Sequence, residues 1–207
     1  MKSYVKSNTS EQRSLFIQNN RWSPTYSPLS IALWQNGYTS WLYPSTEEFN
    51  SDKEPMLTIR SINSTQDYEL IRLRLYNNER LSKSVKIVVQ YCNQQQNTTT
   101  FYSPTEKAII SFSDQGVKML GGNLNGIEMS QYAIQQNKQH NHVQLLRQLE
   151  KGKLPLSWLA QGEVCSFFTL ETDLGSMKIV DGMIWLFQST SAELVKSLKK
   201  EVLPSFV

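Results

Sequence analysis

The run Glu69-Leu70-Ile71-Arg72-Leu73-Arg74-Leu75-Tyr76, followed by Val85-Lys86-Ile87-Val88-Val89-Gln90-Tyr91-Cys92, decides the fold. In the first, Ile71, Leu73 and Leu75 fall on one face of an extended chain, with Arg72 and Arg74 on the other. In the second, Val85, Ile87, Val89 and Tyr91 share a face. Lys86 and Gln90 oppose them, and Val88 is the exception. Period-two alternation rich in branched residues marks strands with one wet face. A helix, turning 100° per residue, would scatter these apolar positions around its circumference. The polar stretch Asn77 to Ser84 joins the two strands.

Upstream, Leu29 to Trp34 and Tyr38 to Tyr43 flank the turn Gln35-Asn36-Gly37, which predicts a hairpin. Before it, Ser14-Leu15-Phe16-Ile17 reads as a short strand. Trp22-Ser23-Pro24-Thr25-Tyr26-Ser27-Pro28 reads as a rigid aromatic loop, because each proline fixes its own φ and pushes the residue before it into extended geometry. Residues 1–12 are polar and are expected to form a flexible N-terminus. Pro44 to Glu54 reads as a surface loop and Pro55 to Ile62 as a strand.

Downstream, Lys107–Ser113, Val164–Leu170 and Ile179–Phe187 read as strands, and Gly121-Gly122-Asn123-Leu124-Asn125-Gly126 as a flexible loop. Ser130 to Lys153 is the least β-like part. Within it Val143, Leu145, Leu146 and Leu149 fit a short amphipathic helix that stops at Gly152. Residues 130–153 are therefore expected as an insertion packed on the sandwich. A final helix is expected over Ala192–Val202, capped by Ser191, with Leu194, Val195, Leu198 and Val202 as its buried stripe. No repeat or Pro/Gly/Ser-rich linker divides the chain. The expected fold is mainly β: one large antiparallel β-sandwich domain over residues 13–207, with one or two short peripheral helices.

Composition narrows the function. A chain of 207 residues is long enough to bury a sizeable core. Its net charge of +3 is small and scattered, which argues against a nucleic-acid partner. No apolar run approaches the ~20 residues of a membrane span, so no membrane partner is expected. Met1 to Gln18 holds no apolar core flanked by a cleavage site, and a cytoplasmic protein is the simplest expectation. Cys92 and Cys165 both sit in apolar strand-like runs and read as buried free thiols.

Motifs for catalysis are sparse. His140 and His142 lie in a polar Gln/Asn-rich stretch with no further ligand nearby, the closest acid being Glu150, so no metal site is expected. No Gly-x-Ser-x-Gly elbow occurs. Glu69, Glu163, Glu171 and Asp181 could in principle supply a paired-carboxylate site, but nothing in their spacing pairs any two. The aromatics say more. Trp22, Trp34 and Trp41 fall close together with Tyr26, Tyr38 and Tyr43 among them. Such rings fill sandwich cores and interfaces, and they also stack on the apolar faces of sugars.

The order of motifs resembles the N-terminal domain of cellobiose- and chitobiose-phosphorylase-type enzymes and the matching region of cyclic glucan synthases. The stretch from Phe16 to Pro28, with its Trp22-Ser23-Pro24-Thr25-Tyr26-Ser27-Pro28 turn, carries most of it. Gly37-Tyr38-Thr39, the strand Tyr68 to Asn78, Lys83 to Tyr91, Leu159-Ala160-Gln161-Gly162-Glu163 and Phe167-Phe168-Thr169-Leu170 complete it. It covers residues 14–92 and, more loosely, 155–187. The resemblance implies a galactose-mutarotase-like supersandwich. In that family a separate helical barrel carries the catalytic acid; these 207 residues hold no counterpart of it, so no catalytic residue carries over.

The resulting expectation is a stand-alone, non-catalytic sandwich that binds an oligosaccharide through Trp22, Tyr26, Tyr38 and Trp41, without cofactor. The alternative is a protein-interaction or homodimerisation module using the same aromatic surface. A mutarotase-like enzyme stands behind both.

Overall fold

The structure, a computed structural model, describes residues 29–42, 49–50 and 55–206. The strand expected at Ser14–Ile17, the proline-rich turn at Trp22–Pro28 and most of the loop 44–54 lie outside the described residues.

Among the described residues, fourteen strands form two antiparallel sheets. In chain order they are β1 (Leu29–Gln35), β2 (Tyr38–Leu42), β3 (Phe49–Asn50), β4 (Met56–Ser64), β5 (Tyr68–Tyr76), β6 (Lys83–Asn93) and β7 (Thr99–Ser103). The second half adds β8 (Ala108–Ser113), β9 (Gly116–Leu124), β10 (Ile127–Glu128), β11 (Gln131–Gln136), β12 (Leu159–Gln161), β13 (Val164–Leu174) and β14 (Ile179–Ser189). The smaller sheet runs β11-β13-β6-β1-β2. The larger runs β12-β7-β8-β9-β14-β5-β4-β3, with β10 paired to β9. Helix α1 (Gln139–Leu149), helix α2 (Ala192–Val202) and a short 3-10 turn at Leu203–Phe206 are the other elements of the described residues. A β-sandwich is the architecture that the strand alternation predicts.

The two decisive strands do not pair with each other. β5 belongs to the larger sheet and β6 to the smaller, so residues 77–82 carry the chain across the sandwich. Asn77 organises that crossing. It is fully buried, its Nδ2 donates to the carbonyls of Leu81 (2.8 Å) and Gly175 (3.0 Å), and its Oδ1 accepts from the Glu79 amide (3.1 Å). Ile71, Leu73 and Leu75 from one sheet meet Val85, Ile87, Val89 and Tyr91 from the other in the central core.

The outer faces are less wet than alternation implies. Helix α1 lies over the smaller sheet, and Leu145 and Leu149 pack on Ala32, Val88, Ala133 and Phe167, with Trp34 and Trp41 at the margin. This explains Val88: its face is covered by a helix. Helix α2 covers the larger sheet in the same way, seating Val195, Leu198 and Val202 on Met119, Trp185 and Phe187. Ser191 caps it by accepting from the Leu194 amide. Leu194, expected in the buried stripe, is instead exposed, as is Val143 of α1. In α1 the inward position falls on half-buried His142, three residues before Leu145.

Three further expectations are corrected. Gly121 to Leu124 is strand, and only Asn125-Gly126 turns the chain, both with positive φ. Gly121 is required by close approach: a Cβ there would stand 2.2 Å from the Trp185 ring. The segment 130–153 begins with β11, an edge strand of the smaller sheet paired to β13, so it is built into the sandwich as well as packed on it. Cys92 and Cys165 are not free thiols. They are register partners on β6 and β13, 4.1 Å apart at Cα, and are joined in a disulfide. A Cα separation this short suits the narrow, non-hydrogen-bonded position of an antiparallel pair.

Candidate functional site

The segment Leu154–Gln161 closes one side of the sandwich. Pro155 keeps its start from joining a central ladder, and the chain then runs between the edge strands of both sheets. On one side Ser157 exchanges bonds with β11: Ile134 N–H donates to its carbonyl (2.9 Å) and its Oγ donates back to Ile134 O (2.6 Å). On the other, Leu159 to Gln161 pair with β7 as strand β12, and Tyr102 N–H donates to Trp158 O (3.0 Å). Only Ala160 of its last three residues reaches the central core.

This strap carries large apolar side chains outward. Leu156 is 84% exposed, Trp158 62% and Leu159 43%. With Leu159 opposite Phe101, the register sets Trp158 opposite Tyr102. Tyr102 stacks on Tyr132 of β11 with ring centroids 3.9 Å apart, bridging the two sheets. Burial, then the neighbouring Tyr132 and Glu128, raise the Tyr102 phenol above its ordinary value. At the far end of the strap a cavity of about 280 Å³ is lined by Gln96, Gln136, Asn137, Lys138, Gln161, Gly162 and Glu163. Gln136 Nε2 donates to Gln161 O there (3.0 Å). One edge thus offers an exposed indole beside paired phenols, then a trough of amide and charged groups.

A polar network anchors the strap's beginning. Glu171 on β13 accepts from Gln131 Nε2 (2.6 Å) and Thr169 Oγ1 (2.8 Å) and pairs with Lys86 Nζ (3.0 Å). Burial pushes its carboxyl up, but the hydrogen bonds from Lys86, Thr169 and Gln131 together outweigh that and hold it below the ordinary range. Lys86 also donates to Gly152 O (2.8 Å) and lies over the Trp34 ring. Gly152 has φ +67°, and a Cβ on it would meet that same ring at 2.6 Å. Through Lys86 and Gln131 the network ties α1's exit to the smaller sheet, which is a positioning task.

Of the residues expected to bind sugar, the described Tyr38 and Trp41 lie on β2, at the opposite edge of the smaller sheet from β11. Trp22 and Tyr26 lie outside the described residues. Tyr38 is 79% exposed at the start of β2. Trp41 is half-buried against the core beneath α1. Three positions apart on one strand, Tyr38 and Trp41 face opposite sides of the sheet. His140 and His142 lie two apart on α1 and so do not share a helix face. His142 Nε2 lies 2.7 Å from Asn137 Oδ1, and burial lowers the imidazole's affinity for a proton. Of the acids, Glu171 is committed to its network, and Asp181 pairs with Arg74 (2.9 Å). Among the described residues no three His, Cys, Asp or Glu side chains converge as a metal site, and no helix is long and apolar enough to cross a membrane.

Sequence reasoning missed Trp158, Tyr102 and Tyr132. The signal was the run Leu154-Pro155-Leu156-Ser157-Trp158-Leu159, with too many large apolar residues for a proline-interrupted connection. No protein-family model matches the chain, and neither does any curated protein.

Proposed function

We propose that this protein is a non-catalytic β-sandwich module that binds a neutral oligosaccharide along the strap edge. The observation that carries the reading is Trp158: a largely exposed indole held by a rigid backbone opposite the Tyr102–Tyr132 stack. An indole face offers a flat apolar surface to a sugar ring, and its N–H tolerates water. The amide-lined trough beyond it supplies donors and acceptors for hydroxyl groups. The resemblance to the sandwich domain of glycoside phosphorylases supports the same class of ligand. So shallow a site predicts weak binding. Titration with gluco-, manno- and chito-oligosaccharides, followed by tryptophan fluorescence, tests it. A saturable change that Trp158→Ala abolishes is expected; a flat response across all three series removes the reading.

A second reading, an interaction or homodimerisation module, rests on Leu156, whose exposure at 84% serves no sugar contact better than it serves a protein one. Light scattering separates the two. A dimer that Leu156→Ser converts to monomer favours interaction; a monomer at all concentrations favours the glycan reading. As to location, the Cys92–Cys165 pair supports an oxidising compartment over the expected cytoplasm, where thiols are kept reduced.

A further inference from the structure

Asn-x-Ser/Thr triplets, the acceptor pattern for N-linked glycosylation, begin at Asn8, Asn63 and Asn97, and each lacks a middle proline. In a compartment that keeps thiols reduced such triplets carry no meaning. The Cys92–Cys165 bond changes that, because disulfides persist in the secretory setting where the triplet is read. The triplet at Asn8 lies outside the described residues. The other two fall at hairpin connections, and the fold treats them differently.

Asn63 stands near the end of β4, half-buried, and its Nδ2 donates to the Tyr68 hydroxyl (2.9 Å). The hydroxyl of Thr65, third residue of that triplet, accepts from the amides of Asp67 (3.2 Å) and Tyr68 (3.1 Å). Carboxamide and hydroxyl are both committed to closing the β4–β5 turn. A glycan on Asn63 would crowd the Tyr68 ring, which packs on Phe187 at the margin of the α2 core.

Asn97 is placed otherwise. It is exposed in the turn between β6 and β7, where its Nδ2 donates to the equally exposed Asp114 carboxylate (3.2 Å). The turn is held from within by two buried side chains. Asn93 Nδ2 donates to Thr98 Oγ1 (3.3 Å) and Asn93 Oδ1 accepts from the Gln95 amide (3.2 Å), while Thr98 Oγ1 donates to Gln95 O (3.0 Å). Thr98 O also accepts from the Gly162 amide (2.8 Å), fastening the turn beside the strap. Thr99, the third residue of this triplet, opens β7. A glycan is bulky and hydrated, and a surface turn fixed by buried neighbours carries it without loss of packing. The contact it disturbs is one solvent-exposed hydrogen bond, which contributes little.

We infer that Asn97 is a site of N-linked glycosylation and that Asn63 is not. The donor is a lipid-pyrophosphate-linked oligosaccharide. Asn97 Nδ2 bonds to the anomeric carbon of its first sugar and loses one proton. The bond from that carbon to the pyrophosphate oxygen breaks, and the lipid pyrophosphate leaves with the electron pair. Gln96, the preceding residue, lines the trough at the strap's far end, so the glycan stands on that trough's rim. The inference rests on the turn and the disulfide, and it holds even if the trough binds nothing.

The test uses the full-length protein purified from its own cells. Peptides are treated with peptide N-glycosidase in heavy-oxygen water and read by mass spectrometry. Conversion of Asn97 to heavy-labelled aspartate is expected, with the Asn63 peptide unconverted. The intact protein should lose mass on the same treatment. Asn97→Gln, made in the same cells, should abolish that loss. If Asn97→Gln fails to fold, Thr99→Ala carries the same test, since it keeps the asparagine and removes the acceptor pattern. An Asn97 peptide without label overturns the inference, as does a mass loss that both variants retain. Label at both asparagines upholds Asn97 and overturns the discrimination against Asn63.

Discussion

Removing the Cys92–Cys165 bond tests the account of the core most directly. The two residues are 73 apart in sequence, so the disulfide closes a loop that spans β7 to β12 and all of α1. In the chain-entropy description, closing a loop of that length stabilises the fold by about 4 kcal/mol at 25 °C, through restriction of the unfolded chain. The native state has little reason to change when the bond is absent. β6 and β13 pair without interruption from Asn93↔Val164 to Lys83↔Leu174, and both cysteines lie under the α1 cluster beside Val88, Ala133 and Phe167. The double variant Cys92→Ala/Cys165→Ala is therefore expected to keep its circular dichroism spectrum and lose roughly 10 °C in Tm, by the usual scaling for a chain of this size. Reduction of the wild type should give a similar loss, and urea m-values should rise as the unfolded chain expands. Equal midpoints for oxidised protein, reduced protein and double variant would refute the reasoning, since they would mean that the sulfurs are not bonded in solution. Collapse of the β spectrum would refute the other half, by showing that the strand pair depends on the bond.

Three other perturbations follow from single contacts. Glu171→Gln should cost roughly 1–2 kcal/mol in urea unfolding, because half-buried Lys86 loses its counter-ion. The carboxyl's proton affinity is lower in the fold than in the unfolded chain, so its contribution is complete above the ordinary glutamate range. It drains as pH falls through the folded value, and a stability–pH curve of the variant should be flatter there. His142, depressed by burial, behaves with the same sign at higher pH: below about 6.5 the unfolded chain takes up a proton that the fold resists. Wild type should lose stability as pH falls through that region, and His142→Gln should not. Gly121→Ala forces a methyl into the Trp185 ring and should cost about 1–3 kcal/mol, read by thermal melting, with α2 disturbed because it rests on that ring.

What could be read in the chain was whatever repeats locally. Alternation in β5 and β6 is a property of neighbours two residues apart, and it placed every central-core residue of these strands correctly. The final helix was legible for the same reason: Ser191 and the spacing of Val195, Leu198 and Val202 are local. What stayed hidden depends on register between distant segments. Cys92 meets Cys165, Arg60 meets Arg72 and Trp158 meets Tyr102 only because particular strands align at particular offsets. In the arginine pair a bulge shifts even that offset. Gly121 and Gly122 misled because glycine reads as a loop when its neighbours are unknown, whereas here the absent side chains make room for Trp185 and the Met183 carbonyl. The strap sits at one end of the larger sheet's strand order, a position that no local pattern encodes. Local pattern selects the layers. Chemistry that needs two strands becomes visible only once the ladder is known.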